Sequence, residues 1–134
     1  MENNTAMNSV IYVVRHHLRY NLGALFLNFE DLWDLDPVML NDKYVKMVAA
    51  LDKVKASIDI SLEPTEALKN AEELQHMIDA LLYVYETKSA EMREKLAEEE
   101  KRKQKKRIME IIARKEQSEL ENKSVEELKA MLEE

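Results

Sequence analysis

From Thr65 to Glu134 the chain runs seventy residues without a glycine or a proline. Those two residues interrupt helices, glycine through backbone entropy and proline by removing a donor and clashing with the preceding turn. A stretch this long without either, rich in Glu, Lys, Leu, Ala and Met, points to α-helix. The remaining residues supply one glycine, Gly23, and two prolines, Pro37 and Pro64, too few turn formers for a sheet protein. The expected fold class is therefore all-α: an N-terminal helical hairpin or small bundle, then a long charged helix and a short C-terminal helix.

Composition removes several function classes. With no cysteine among 134 residues there is no disulfide framework, thiolate zinc site or cysteine nucleophile, which fits a reducing compartment. No apolar run reaches the ~18 residues that span a bilayer. The opening MENNTAMNS lacks the basic residues that begin a secretory signal, so a soluble protein in the cytoplasm is expected, without a membrane partner. A net charge of −7 opposes nonspecific binding of nucleic acid over the whole surface.

The first segment, NSVIYVVRHHLRYNLG, places Val10, Ile11, Val13, Val14, His17 and Leu18 at spacings near three and four. The β-branched run VIYVV suits a helix or a short strand. With no second convincing strand to pair with, a helix beginning after Asn8 or Ser9 and ending at Gly23 is expected. Leu25, Phe26, Leu27, Phe29, Leu32, Trp33 and Leu35 then crowd into eleven residues, with Asn28 placed to cap a short helix carrying Glu30 and Asp31 in its first turn. This patch reads as the core nucleus; the other reading is an aromatic anchor for a partner.

Asp36–Pro37 is a strong helix start, an N-cap side chain followed by a residue with preset φ. Leu40, Tyr44, Met47, Leu51, Val54 and Ile58 recur at steps of four and three. The linker IDISLEPTEA interrupts, Pro64 restarts, and Ala71, Leu74, Ile78, Leu81 and Tyr85 repeat the pattern. Two seams of matching length joined by a short loop predict a helical hairpin.

Beyond Leu96 the stripe vanishes, yet Glu98/Arg102 and Glu99/Lys103 stand at the acid-before-base spacing that supports an exposed helix. A helix continuing from Pro64 to about Gln117 would be ~80 Å long, a rod well beyond a compact hairpin. The expected division is residues 1–97 as a helical core and 98–134 as a charged extension. Apolar side chains return at Ile108, Met109, Ile111, Ile112 and Leu120, and Ser124 with Glu127 has capping-box spacing ahead of Val125, Leu128, Met131 and Leu132. Three turns of helix do not stand alone in water. These nine apolar residues are the candidate partner-binding set, with coiled-coil contacts as the chemistry.

The run KRKQKKR holds six basic residues in seven. Lys101, Arg102, Lys103, Lys105, Lys106 and Arg107, joined by Arg114 and Lys115, are the candidate phosphate-binding set. The competing reading is a solvated helical span balanced by seven glutamates in the last nineteen residues. No aromatic interleaves with the run, so base stacking on it is excluded. His16 and His17 are adjacent and diverge on a helix, and His76 stands alone, so no metal site is expected. With one glycine there is no phosphate-binding loop, and no serine lies in a nucleophile-elbow context. No catalytic residue and no cofactor is expected.

FEDLWDLDPVMLNDKY and RKQKKRIMEIIARKEQSELENKSVEELKAML resemble small uncharacterised helical proteins encoded by bacteriophages. The resemblance runs from Phe29 onward and leaves the first 28 residues outside. It implies a viral setting, in the host cytoplasm or the virion, and an accessory, assembly or virion-associated role. The expected function is thus a non-enzymatic interaction protein whose partner is a second copy or another phage or host protein. A nucleic-acid-binding accessory protein, or a phage inhibitor of a host protein, is the alternative.

Overall fold

A computed structural model describes residues 2–133, with side chains from residue 4 onward. The described chain is α-helical apart from one two-stranded hairpin and a 3-10 turn. In order it has helix α1 (Glu2–Arg15), strands β1 (Tyr20–Leu22) and β2 (Leu25–Leu27), a 3-10 turn (Glu30–Asp34), and helices α2 (Pro37–Ile60), α3 (Thr65–Glu121) and α4 (Val125–Leu132). It divides into two compact units, one up to Glu91 and one from Met92.

In the first unit α2 and α3 form the expected hairpin. Asp36 caps α2 by accepting from Met39 N at 2.8 Å, and Pro37 occupies the first turn. After Ile60 the Ser61 hydroxyl accepts from Glu63 N, and Pro64 O accepts from Leu68 N as α3 begins. Leu40, Met47 and Leu51 of α2 are buried with Ile78, Ala80, Leu81 and Val84 of α3, while Tyr44, Ala71, Leu74 and Tyr85 pack partly buried against them. Leu40, Leu81 and Val84 retain no exposed surface, so the heptad seams supply much of the core, which Val13, Tyr20 and Leu32 complete, while Val54 and Ile58 at the end of the α2 seam stay partly exposed.

The N-terminal region departs from expectation in two ways. The VIYVV segment is helical, but α1 starts at Glu2 and ends at Arg15, well before Gly23. His17 adopts φ 54°, its N–H bonding Val14 O at 3.2 Å while Leu18 N bonds Val13 O at 3.1 Å. These are the two bonds of a Schellman stop, with histidine in the left-handed position that glycine usually takes. Gly23 instead turns a hairpin that the sequence reading had no place for. Tyr20 pairs with Leu27, Asn21 with Phe26 and Leu22 with Leu25, and Gly23, at φ 62°, is the first of the two turn residues, a position that takes positive φ in two-residue loops of this kind.

The aromatic patch divides between core and surface. Leu32 is fully buried, and Leu27, Phe29, Trp33 and Leu35 pack against the core, whereas Leu25 and Phe26 point outward with 60% and 72% of their surface exposed. Alternation along β2 separates the exposed Phe26 from the packed Leu27, while Leu25, on the same face as Leu27 but beside the turn, is exposed as well. Asn28 and Asp31 cap the 3-10 turn reciprocally, Asp31 N donating to Asn28 Oδ1 at 2.8 Å and Asn28 N to Asp31 Oδ2 at 3.0 Å. Its far end is held by Lys88 of α3, whose ammonium donates to Trp33 O at 2.7 Å and to Leu35 O. Tyr20, 1% exposed, donates its hydroxyl to Met77 O at 2.7 Å and so ties β1 to α3.

The second unit holds the C-terminal part of α3 and then α4. A turn at Asn122–Lys123 separates them, and Ser124 Oγ accepts from Glu127 N at 3.1 Å, making the cap the sequence predicts.

Candidate partner-binding surface

From Met92 to Glu133 every residue is exposed. A helix persists here because the chain supplies strong helix formers without a breaker, and because charged side chains keep a solvated helix soluble. Contacts within this unit are local: Gln117 Nε2 donates to Glu121 Oε1 at 3.3 Å, and Lys123 Nζ lies 3.4 Å from Met131 Sδ. Nothing in it buries an apolar side chain. Ile108, Met109, Ile112, Val125, Met131 and Leu132 each keep about half of their surface or more, and Ile111, Leu120 and Leu128 keep 36–38%.

Helical geometry sorts these residues into separate faces. At about 100° per residue, Ile108 and Ile112 lie on one line of α3, with Ile111 beside it, while Met109 and Leu120 lie together about a quarter turn away. Val125, Leu128, Met131 and Leu132 share one side of α4. What reads in sequence as one sticky stripe from Ile108 to Leu120 is thus two stripes on α3. The Ile108–Ile112 line continues into charge: Lys101, Lys105, Ile108, Ile112, Glu116 and Glu119 follow steps of four, three, four, four and three and fall within about 80° of azimuth.

The basic residues take no single side. Lys101, Arg102, Lys103, Lys105, Lys106 and Arg107 wind around the helix, all exposed; Arg114, seven residues on, repeats the direction of Arg107, and Lys115 adds a new one. Arg102, Lys103 and Lys106 line a surface recess together with Glu99, so an acid shares the recess with three cations. Charge is divided between the units. Residues 92–134 contain twelve Lys/Arg and twelve Asp/Glu and are neutral, whereas residues 1–91 contain eight against fifteen and carry the chain's whole −7.

The first unit holds a polar cluster that the sequence reading missed. Ser9 of α1, 1% exposed, has its Oγ 3.0 Å from His76 Nδ1 on α3. The Tyr12 ring stacks on His76 at 4.0 Å, and the His16 ring lies tilted against Tyr12 at 4.2 Å. Burial, then the Glu72 and Glu73 carboxylates, raise the Tyr12 hydroxyl above its ordinary value. The cluster seats α1 on α3, with a buried hydroxyl satisfied by an imidazole. Spanning 67 residues, the Ser9–His76 contact leaves no spacing signal in the sequence. Beside it, Thr5, Ala6, Asp79, Leu82, Tyr83 and Glu86 line an open cleft of about 340 Å³, where Asp79 already accepts from Gln75 Nε2 at 3.0 Å. On α2, burial and then Lys46 lower the Lys43 ammonium, with Asp42 opposing.

Among the described residues no group of three His, Asp or Glu side chains is placed to hold a metal ion, and no helix is long and apolar enough to cross a membrane. No protein-family model, curated protein or solved structure matches this chain.

Proposed function

We propose that this chain is a non-enzymatic helical interaction protein that binds other proteins through the apolar side chains of its second unit. The observation that carries this reading is the exposure of nine apolar residues, Ile108 to Leu132, in a segment with no core of its own. Apolar atoms on a preformed helix gain by removal from water, and little conformational freedom is lost when the helix already exists. The contacts are of coiled-coil type, with flanking charges setting orientation. A second copy of the chain is the first partner. The phage resemblance gives the role its setting, an assembly, scaffolding or virion-associated factor, or an inhibitor seated in a host protein's groove.

A second reading rests on the eight exposed basic residues, which would meet the phosphates of a nucleic acid. The shared recess with Glu99 and the neutrality of the unit count against it. Analytical ultracentrifugation and fluorescence anisotropy separate the two. The interaction reading expects concentration-dependent oligomers and no response from labelled RNA or DNA. A monomer at all concentrations that binds nucleic acid with steep salt dependence, lost when the basic run is neutralised, reverses the conclusion.

A further inference from the structure

The stripe Lys101–Lys105–Ile108–Ile112–Glu116–Glu119 reads base, apolar, acid along one line of α3, and both isoleucines keep about half of their surface. We infer that this line is a self-complementary docking face whose occupant is a second copy of the chain in antiparallel orientation, its two-fold axis passing at the level of Glu110. The inference rests on the interaction reading above and adds the partner and its register.

Charge fixes the orientation. Turning a second helix end for end about the level of residue 110 sets Ile108 opposite the partner's Ile112, and Ile112 opposite the partner's Ile108. The same operation sets Lys101 opposite the partner's Glu119 and brings Lys105 within one residue of the partner's Glu116. Lys105 and Glu116 lie on the same flank of the isoleucine line, and a two-fold relation brings like flanks together, so both ion pairs form at once. Lys115 lies on the opposite flank, where it meets Gln104 of the partner and not Lys105. A parallel pair in register would oppose lysine to lysine and glutamate to glutamate, which is repulsive along the whole line. The isoleucines supply attraction in either orientation, and the charges select one. From Lys101 to Glu119 the contact runs about 27 Å, five turns of helix.

The absence of native cysteine makes the test clean. Full-length chains carrying Lys101→Cys and chains carrying Glu119→Cys are mixed and oxidised. Within one chain these positions lie about 27 Å apart, far beyond disulfide reach, so every bridge formed is between chains. The antiparallel face predicts that disulfides joining one variant to the other exceed the half expected from random pairing, and that Ile108→Ser with Ile112→Ser abolishes the oligomer while leaving thermal unfolding of the first unit unchanged. Bridges joining like variants overturn the orientation and leave self-association standing. An oligomer unmoved by the double serine variant overturns the face. A chain that stays monomeric overturns this inference, and the reading beneath it falls as well where that monomer holds labelled RNA or DNA through its lysines, which assigns the stripe to nucleic acid.

Discussion

Lys88 offers the sharpest test of how the first unit is held together. Its ammonium donates to Trp33 O and Leu35 O, the carbonyls that the 3-10 turn leaves without partners at its C-terminal end. Replacing Lys88 with methionine keeps the apolar stem and removes only the donors. A hydrogen bond to a charged group contributes about 1.5–3 kcal/mol, and stranding a carbonyl adds its desolvation cost. Because Lys88 is half-buried, water reaches the freed carbonyls in part, which places the expected loss toward the lower end of that range. With a slope of ~1.5 kcal/mol/M, a loss of that size lowers the urea midpoint by about 1 M without changing the slope. Trp33 is the only tryptophan and packs edge-on against Phe29 and Tyr83 at 6.1 Å, so its fluorescence reports the same event directly. Lys95→Met, at an exposed position of the same helix, is the control. Equal midpoints for the two variants would refute the assignment of Lys88 as the clamp on this turn.

Three further outcomes follow from particular residues. Leu81→Ala removes a side chain with no exposed surface and is expected to cost about 2–5 kcal/mol by urea denaturation, whereas Phe26→Ala, 72% exposed, is expected to stay within about 0.5 kcal/mol. His17→Gly relieves a left-handed residue at the end of α1 and is expected to raise stability by about 1 kcal/mol, while His17→Val at the same position lowers it. Burial holds the Tyr20 hydroxyl above its ordinary value of 10.0, so the unfolded chain releases this proton first: the contribution of Tyr20 is complete below about pH 10 and lost as pH rises beyond it. Denaturant midpoints measured across that range are expected to fall with pH, and Tyr20→Phe to flatten the fall at the cost of the bond to Met77 O.

By itself the sequence determined the helical class, the caps and the hairpin. Steps of three and four at Leu40–Ile58 and Ala71–Tyr85 specify which face each helix buries, because a side chain's azimuth follows from its number once the helix exists. Asp36, Asn28 and Ser124 act as caps because their partners lie three residues away, and local chemistry suffices there. The tertiary structure alone decided where α1 ends. Gly23 is the residue most able to adopt positive φ, but His17 takes that conformation because packing Val13 and Leu18 into the core recovers its strain. The Tyr20–Leu27 hairpin was equally out of reach, since three-residue strands carry no period to read. So were Ser9 with His76 and Lys88 with the 3-10 turn: contacts across more than fifty residues depend on how helices pack, and no spacing encodes them. For the candidate surface the sequence determined which residues are apolar and that a helix carries them. That no core of their own covers them is a fact of the folded chain, because burial belongs to the packed structure and not to any one residue.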